Sequence, residues 1–387
     1  MTTDTRNILI LTGTRAEYGL LRSSMEAIRD YDNLSLTIVA TGMHLSTKHG
    51  LTVEDIREDG FTVDREVLMQ LDADSGAAMS KSLGVGVIGM TDAFETLEPD
   101  VVLLLGDRDE ALAGALAATH MNIPVAHIHG GDSMTGAVID DSIRHAITKF
   151  AHLHFPASEL SAERIRKMGE EDWRITISGA PGLDDVIAGQ FDDPDEVLHD
   201  NDLDTSRPLF LVVQHPVTTQ PERAGQQMKV TLDAIEAFDA QVVIIYPNSD
   251  AGADRIIDEI ESREFSQPVR TFRSLPRDEY LALMNAADVM IGNSSSGIIE
   301  APTFDLPVVD IGPRQEGRER ADNTLSVSSE MEVIRNAISK CLEDKDFIQQ
   351  VESCSNPYDY GGAGERIATR LADIDNLDDL IIKRLTY

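Results

Sequence analysis

Short apolar runs alternate with longer segments of helical pattern along almost the whole chain, and this alternation restricts the fold more than any other feature. A first series of runs reads NILILTG, LSLTIVATG, DVVLLLGD, IPVAHIHGG and HLHFPAS. A second series reads PLFLVVQHP, QVVIIYPNSD, VRTFRSL, ADVMIGNSSSG and LPVVDIG. Runs that are apolar throughout indicate strands buried on both faces, and helices between them indicate parallel crossovers. We therefore predict an α/β protein with two Rossmann-like parallel-sheet domains that face a cleft.

An acidic segment, residues 179–204, separates the two series and has Gly and Pro near its start. A chain of 387 residues has room for two domains of ordinary size. The segment therefore predicts a domain junction, with residues 1–180 in the first domain and residues 181–364 in the second.

The charge balance excludes several classes of partner. The chain has 68 acidic and 33 basic residues, and its formal net charge is −35. Nucleic acids and anionic membrane surfaces both need a basic footprint, so neither is an expected partner. The acidic residues are dispersed along the chain, as in proteins of salt-loving organisms, where high ionic strength screens their repulsion. We expect a halophilic protein whose stability rises with salt.

Targeting and redox features are also absent from the sequence. No apolar run reaches the length of a membrane span, and the start of the chain lacks the pattern of a signal peptide. Cys341 and Cys354 have neither CxxC spacing nor further partners, so we expect neither a disulfide framework nor a zinc ribbon. These observations predict a soluble, cytoplasmic protein.

In parallel sheets ligands bind beyond the carboxyl ends of the strands, so residues that follow each apolar run are the candidates for a site. The first run leads to TGTRAEYG, which is not the GxGxxG pattern of nicotinamide dinucleotide sites. Arg15 in this segment can bind a phosphate with two parallel hydrogen bonds, or it can pair with Glu17 on the surface.

Asp107 and Arg108 follow the apolar strand of GDRDE. An aspartate at this position can act as a general base, or it can hold Arg108 and cap the next helix. The residues alone leave both roles open.

The segment HIHGGD places His127, His129 and Asp132 within six residues. These side chains are acceptable zinc ligands, but no standard ligand spacing completes the set. The two glycines suit a backbone that approaches a ligand closely.

The next segment, DDSIRHA, predicts a helix capped by Asp140 or Asp141, and Asp141, Arg144 and His145 share one face of it. An ordinary ion pair on a capped helix is the alternative to a functional role.

The second series ends its strands with His215 in QHP and with three serines in GNSSSGIIEAP. A strand-to-helix turn has unpaired backbone N–H groups, and the helix dipole favours an anion there. Simple helix capping by serine is the alternative. Arg314 and Arg318 follow the last strand, in an acidic chain that has few lysines.

Together these motifs resemble one family, the hydrolysing UDP-N-acetylglucosamine 2-epimerases of sialic acid biosynthesis. The resemblance extends from about residue 7 to residue 365 and rests on the motifs GTRAEYG, GDRDEALAGALAA, HIHGGD, DDSIRHAITKFAHLHF, QHP, GNSSSGIIEAP and IGPRQEGRE. It implies a GT-B arrangement in which residues 365–387 cross back to the first domain. It also implies a nucleotide-sugar substrate, a homo-oligomer (dimer or tetramer), and no metal or other cofactor.

By resemblance, the serine turn holds the diphosphate of UDP and Glu300 accepts the ribose hydroxyls. The turn comprises Ser294, Ser295 and Ser296, and Gly297 follows it. Other positions that match substrate- or UDP-contacting residues are Arg15, Arg108, Arg144, His215, Asn248 and Arg314.

The family reaction eliminates UDP across carbons 1 and 2 of the sugar and then adds water to the resulting glycal, which releases N-acetylmannosamine. Asp107 and Asp140 match catalytic carboxylates, and His215 is a further candidate acid. Many relatives have glutamate at the positions of His129 and Asp132, so the base that removes the proton from carbon 2 is His129, Asp132 or Asp107.

Four alternatives remain open at this point. Within the family, the substrate can be UDP-N,N'-diacetylbacillosamine, or the enzyme can be a non-hydrolysing UDP-N-acetylglucosamine 2-epimerase. Outside it, the HxH segment suggests a metal-dependent hydrolase, and a protein that only senses nucleotide sugars is the non-enzymatic alternative.

Overall fold

The computed structural model describes residues 5–47, 50–71, 75–134, 138–248 and 250–387. The chain divides into two compact units, and each unit contains its own six-stranded parallel sheet. The first unit contains residues up to Ser133, Ile139–Asp184 and Tyr358–Tyr387, and the second consists mainly of Asp185–Pro357. The predicted α/β fold class with two Rossmann-like sheets is confirmed.

The first sheet has the strand order β3-β2-β1-β4-β5-β6, and all of its pairs are parallel. Its strands are β1 (Arg6–Thr12), β2 (Leu34–Thr41), β3 (Arg65–Val67), β4 (Val101–Leu105), β5 (Val125–Ile128) and β6 (Leu153–Phe155). Successive residues of a strand point to opposite faces. Ile8 and Ile10 therefore enter the core on one face, whereas Leu9 and Leu11 enter the core on the other.

Helices cover both faces of this sheet. They are α1 (Arg15–Arg29), α2 (Val53–Glu58), α3 (Gly76–Leu97), α4 (Asp109–His120), α5 (Val138–Phe150) and α6 (Glu159–Lys167). The small residues of α3 and α4 let these helices pack closely. A Cβ atom on Gly86 of α3 would lie 3.1 Å from the Cβ atom of Ala113 of α4.

The second sheet has the order β12-β11-β10-β7-β8-β9 and is also entirely parallel. Its strands are β7 (Leu209–Val213), β8 (Gln241–Ile245), β9 (Val269–Phe272), β10 (Val289–Gly292), β11 (Val308–Ile311) and β12 (Thr324–Val327). Helix α7 (Gly182–Ala188) lies across the boundary between the two units. The helices of the second unit are α8 (Pro194–Asp200), α9 (Ala224–Ile235), α10 (Ala253–Glu261), α11 (Arg277–Ala286), α12 (Ser296–Ile299), α13 (Met331–Glu343) and α14 (Lys345–Glu352). The acidic segment 179–204 is thus not an open linker, because it contains α7 and α8.

The end of the chain returns to the first unit as α15 (Ala363–Ala372) and α16 (Leu377–Ile381). Helix α15 packs tightly on α1, because a Cβ atom on Gly364 would lie only 2.6 Å from the carbonyl oxygen of Ser23. The guanidinium of Arg6 in β1 donates hydrogen bonds to the carbonyl oxygens of Ala372 (3.2 Å) and Ile374 (2.6 Å). Both contacts join the first strand to the last helices.

A buried carboxylate, Glu170, also holds the end of the chain. Its Oε2 lies 2.8 Å from Nζ of Lys383 and 3.2 Å from Nε2 of His154, and its Oε1 accepts a hydrogen bond from Lys149. Burial opposes ionisation of Glu170, but these three donors outweigh it and hold the pKa at about 2. Glu170 is therefore an ionised buried residue that connects α5, β6 and the C-terminal segment.

Arg174 makes a second connection to the same segment. It is 1% exposed, and it donates hydrogen bonds to the carbonyl oxygens of Leu380 (2.9 Å) and Ile382 (2.8 Å).

In the described parts of the chain, no helix is both long and apolar enough to span a bilayer.

Candidate active site

Asp107 lies directly after the carboxyl end of β4. The chain leaves the strand through Gly106, which has φ +79°, and α4 begins at Asp109. The carboxylate of Asp107 forms an ion pair with Arg144 of α5. Arg144 also donates a 2.9 Å hydrogen bond to the carbonyl oxygen of His129. One guanidinium thus connects the ends of β4 and β5 to α5.

Arg144 is only 2% exposed and is surrounded by carboxylates. Burial lowers the pKa of its guanidinium, but Asp107, Asp132, Asp140 and Asp141 more than offset this and raise the pKa. We call Asp107, His129, Asp132 and Asp140, together with Arg144, the acid cluster. The structure brings together these residues, which the sequence analysis selected from three separate motifs.

His129 has an unusual backbone, with φ +61°, and lies just beyond the end of β5. A side chain other than glycine is disfavoured in this region of the Ramachandran plot. The residue is 4% exposed, and its Nδ1 has no hydrogen-bond partner among the described residues. The nearest carboxylate oxygen, Oδ2 of Asp132, lies 3.7 Å away, which is too long for a hydrogen bond.

Asp132 is held by a residue that the sequence analysis missed. Oγ of Ser161 in α6 donates a 2.6 Å hydrogen bond to Oδ1 of Asp132. Gly131, with φ +78°, lies so close to the backbone of Ser161 that no side chain fits at this position. No sequence signal points to Ser161, because it lies far from Asp132 along the chain.

His127 has a structural role. It is fully buried, and its Nε2 lies 2.7 Å from the carbonyl oxygen of Gly106 while its Nδ1 lies 3.2 Å from Oγ1 of Thr148. Burial lowers the pKa of His127 to about 3. Both ring nitrogens are therefore occupied within the core, and the HxH segment does not offer two free nitrogens to a metal.

Arg15 is the first residue of α1, because Thr14 caps the helix by accepting a 3.1 Å hydrogen bond from the N–H of Glu17. Arg15 forms an ion pair with Asp55. Its guanidinium is therefore partly exposed beside the carboxyl end of β1.

Two buried carboxyl groups next to these residues were not expected. Glu17 accepts a 2.6 Å hydrogen bond from the N–H of Gly13, and Oε2 of Glu110 lies 3.5 Å from Nε of Arg108. Burial, with smaller effects from Glu110 and Asp107, raises the pKa of Glu17 to about 8. Glu17 therefore binds a proton at neutral pH beside the acid cluster.

In the second unit, Asn293 joins the serine turn to the end of β7. Its Oδ1 accepts a 2.7 Å hydrogen bond from the N–H of His215, and its Nδ2 donates a 3.0 Å hydrogen bond to the carbonyl oxygen of His215. Nδ1 of His215 in turn accepts a 3.2 Å hydrogen bond from the N–H of Asn248. The ends of β7, β8 and β10 thus meet at three predicted positions: His215, Asn248 and the serine turn.

Part of the hydrogen-bonding capacity of the serine turn is used within the turn itself. Oγ of Ser294 lies 3.1 Å from Oγ of Ser296 and accepts a 3.3 Å hydrogen bond from the N–H of Ser296. The helix after it, α12, has only four residues, so its dipole is weak. Arg314 supplies positive charge at the turn, because it donates a 3.1 Å hydrogen bond to the carbonyl oxygen of Asn293.

Glu300 is 3% exposed and forms an ion pair with Arg277, the first residue of α11. Burial and the charge of Glu300 raise the pKa of Tyr280, one turn further along the helix. Gly297 has no room for a side chain, since a Cβ atom would lie 2.9 Å from Cγ1 of Val308. Arg277 and Tyr280 were missed because they belong to a helix with no recognisable motif.

A family model described as UDP-N-acetylglucosamine 2-epimerase matches residues 26–372. The chain belongs to this family. The resemblance drawn from the sequence motifs is confirmed at the family level, and the protein is an enzyme of the 2-epimerase family.

Characterised members of the family are similar over most of the chain. A UDP-N,N'-diacetylbacillosamine 2-epimerase (hydrolyzing) of Legionella pneumophila is 38% identical over 99% of this chain and 100% of its own length. A GDP/UDP-N,N'-diacetylbacillosamine 2-epimerase (hydrolyzing) of Campylobacter jejuni is 35% identical over 89% of both chains. A UDP-N-acetylglucosamine 2-epimerase of Neisseria meningitidis is 33% identical over 87% of both chains.

The fold of the family is also seen in solved structures. A crystal structure of UDP-GlcNAc 2-epimerase from Neisseria meningitidis, bound to UDP-GlcNAc, has a TM-score of 0.79 and covers 95% of this chain and 100% of its own. It is 18% identical to this chain, so it shows the shared fold and nothing finer.

Proposed function

We propose that this 2-epimerase is a hydrolysing enzyme that converts UDP-N,N'-diacetylbacillosamine and water into the free sugar inverted at carbon 2 and UDP. The observation that carries the proposal is the similarity to the Legionella enzyme, which extends over 99% of this chain and 100% of that enzyme. Hydrolysis of UDP-N-acetylglucosamine to N-acetylmannosamine is the second candidate. It is supported by the similarity to the meningococcal enzyme.

The proposed reaction has two steps that balance without a cofactor. A base removes the proton at carbon 2 while the bond from carbon 1 to the diphosphate oxygen breaks, which forms a double bond between carbons 1 and 2 and releases UDP. Water then adds its hydroxyl group to carbon 1 and a proton to the opposite face of carbon 2. General acid–base groups are needed in both steps.

The acid cluster of the first unit contains the groups that this reaction needs. Asp107 and Asp140 are the proposed catalytic carboxylates, and the base at carbon 2 is His129, Asp132 or Asp107. The unpartnered Nδ1 of His129 supports a role for the imidazole in accepting a proton. Arg144 supplies the positive charge of the cluster, because its buried guanidinium forms an ion pair with Asp107.

The second unit contains the proposed nucleotide site. The serine turn and Arg314 would bind the diphosphate through hydroxyl, backbone N–H and guanidinium groups. Glu300 would accept the ribose hydroxyls, and its ion pair with Arg277 holds the carboxylate in place. His215 and Asn248 lie at the same strand ends.

Product analysis distinguishes the candidate functions. The purified protein is incubated with UDP-N,N'-diacetylbacillosamine, UDP-N-acetylglucosamine or the matching GDP sugar, and the products are followed by NMR. We expect free UDP and a free 2-epimerised sugar, with the diacetylated substrate turned over fastest. A UDP-linked epimer would indicate a non-hydrolysing enzyme, and the absence of any product would indicate a sensor. Thermal unfolding in dilute buffer and in molar potassium chloride tests the rise of stability with salt that the composition predicts.

Ser295→Ala and Glu300→Gln are expected to weaken UDP binding. The loss of a charge-assisted hydrogen bond costs about 1.5–3 kcal/mol, so we expect an increase of about 10- to 100-fold in the Kd of the Glu300 variant. The effect of Ser295→Ala should be smaller. Isothermal titration calorimetry with UDP measures both, and Ser262→Ala on the exposed end of α10 is the matched control. Unchanged affinity in both site variants would contradict this placement of the nucleotide.

A further inference from the structure

Residues 312–320, which we call the 312–320 loop, follow β11 in the second unit. The loop leaves the strand through Gly312, which has φ +82°, a conformation that favours glycine. The N–H of Gly312 donates a 2.8 Å hydrogen bond to the carbonyl oxygen of Val327, at the end of β12. The loop contains Arg314 and Gln315, so its position decides where these two side chains lie.

Gln315 connects this loop to the serine turn. Its side chain is fully buried, and its Nε2 donates a 2.8 Å hydrogen bond to the carbonyl oxygen of Asn293. The same carbonyl oxygen accepts the hydrogen bond from Arg314. Asn293 directly precedes the serine turn, and its side chain bonds both the N–H and the carbonyl oxygen of His215. A shift of Gln315 would therefore also move the start of the serine turn.

Arg320 fastens the backbone of the loop to the sheet. Its Nη2 donates a 2.6 Å hydrogen bond to the carbonyl oxygen of Gln315. Its Nη1 lies 3.2 Å from Oδ2 of Asp310 in β11 and also donates a hydrogen bond to Oγ of Ser326 in β12. One guanidinium thus connects the residue that contacts Asn293 to two neighbouring strands.

A cavity of about 390 Å³ separates part of the loop from these strands. Its lining includes the loop residues Gly312, Pro313, Glu316 and Gly317 and the strand residues Ser326 and Val327. Close packing normally holds buried segments in place, and an open space gives a loop room to shift. The position of the 312–320 loop therefore depends strongly on the hydrogen bonds of Arg320.

Asp310 orients this guanidinium. The residue is 2% exposed, and its Oδ1 has no hydrogen-bond partner among the described residues. Burial raises the pKa of Asp310 to about 6, although Arg320, Ser326 and Arg314 oppose the rise, so the carboxylate is ionised at pH 8. An ionised carboxylate shielded from water attracts a guanidinium more strongly than an exposed one does. Asp310 therefore holds Arg320 on the side of the loop.

We propose that Arg320, paired with Asp310, is a positioning residue for the nucleotide site. It acts through the carbonyl group of Gln315 and fixes the 312–320 loop, so that Arg314 and the start of the serine turn keep the spacing that a diphosphate needs. The inference rests on the proposed function, in which these groups bind the diphosphate of UDP. Loss of Arg320 should then weaken binding of the nucleotide and leave the acid cluster of the first unit unchanged.

Calorimetry with UDP at pH 8 tests the proposal on the full chain. We expect Arg320→Met to raise the Kd for UDP about tenfold, because the loop loses a charge-assisted hydrogen bond. In the NMR assay, KM should rise by a similar factor while kcat stays close to that of the wild type. Arg207→Met is the matched control, since Arg207 also pairs with an aspartate, Asp239, but precedes the amino end of β7. Its Kd should be unchanged.

A double variant separates positioning from stability. Arg320→Met leaves the buried carboxylate of Asp310 without its ion-pair partner, so it should also lower the free energy of unfolding. Adding Asp310→Asn removes that charge and should restore most of the stability. The Kd for UDP should stay high, because the carbonyl oxygen of Gln315 still lacks its donor.

Two results would overturn the positioning role while the nucleotide site stands. One is a UDP affinity that Arg320→Met leaves unchanged, and the other is an affinity that recovers together with stability in the double variant. A wild-type protein that does not bind UDP would overturn the proposed nucleotide site, and this inference with it.

Discussion

Replacing Asp107 with Asn is expected to lower the rate of sugar release by about 100- to 10,000-fold, the usual cost of losing a general acid or base. Asn has nearly the same shape as Asp and still accepts a hydrogen bond from Arg144, so the acid cluster should keep its geometry. The buried guanidinium also retains Asp132, Asp140 and Asp141 as compensating charges. Asp140→Asn is expected to have an effect of the same order.

UDP binding should survive both substitutions, because the proposed nucleotide site belongs to the second unit. Turnover is measured by NMR, and UDP affinity by calorimetry. Asp32→Asn, at an exposed position between α1 and β2, is the matched control for turnover. Near-normal rates in both site variants would rule out the assigned roles, whereas a parallel loss of UDP affinity would indicate that the variants act on binding.

The isotope content of the product tests the same step independently. Elimination discards the original proton at carbon 2, so the product formed in deuterium oxide should carry deuterium at this carbon. Retention of the original proton would exclude elimination as the route.

Replacing Glu170 with Gln is expected to destabilise the first unit by about 3 kcal/mol, because a buried ion group that loses one partner leaves uncompensated charge. Lys383 is the residue most affected. Burial lowers the pKa of its ammonium group. This group forms an ion pair with Glu170 and donates hydrogen bonds to the carbonyl oxygens of Lys149 (2.8 Å) and Ala151 (2.6 Å). The C-terminal segment should then become more accessible to hydrogen exchange.

The pH dependence of this effect follows from the pKa of Glu170, which is about 2 in the folded protein and 4.5 for an unperturbed glutamate. A lowered pKa means that the folded state favours the ionised form, so the contribution to stability is complete above about pH 4.5 and disappears as the pH falls towards 2. The difference in unfolding free energy between wild type and Glu170→Gln should therefore shrink over this range.

Urea unfolding at several pH values measures the difference in unfolding free energy between the wild type and Glu170→Gln. Glu163→Gln is the matched control, since Glu163 lies on the neighbouring helix α6, is exposed and forms an ion pair with Lys167. This variant should unfold like the wild type. If both variants unfold alike at neutral pH, Glu170 does not hold the C-terminal segment as described.

The fold class was predictable because its signal is local. Strands such as β4 and β7 are apolar throughout, and only a parallel sheet covered on both faces buries such runs completely. The segment after the serine turn forms a four-residue helix, α12, and then a 3-10 turn at Ala301–Phe304.

The residues at strand ends were also predictable, because parallel strands bring their carboxyl ends to one edge. Their supporting partners were not. Ser161 and Arg277 lie on helices that only the tertiary fold brings to these edges, and neither belongs to a motif. The left-handed backbone of His129 was equally hidden, since such a conformation is inferred from sequence only where glycine occupies the position.

The return of residues Tyr358–Tyr387 to the first unit has a consequence for the order in which the chain folds during synthesis. Ile367, Ala368 and Leu371 belong to the same core as Ile8 and Ile10 of β1. The ribosome completes the main part of the second unit, Asp185–Pro357, before it makes these residues. The core of the first unit is therefore completed last. Until then, β1 and α1 expose the apolar surface that these C-terminal residues later cover.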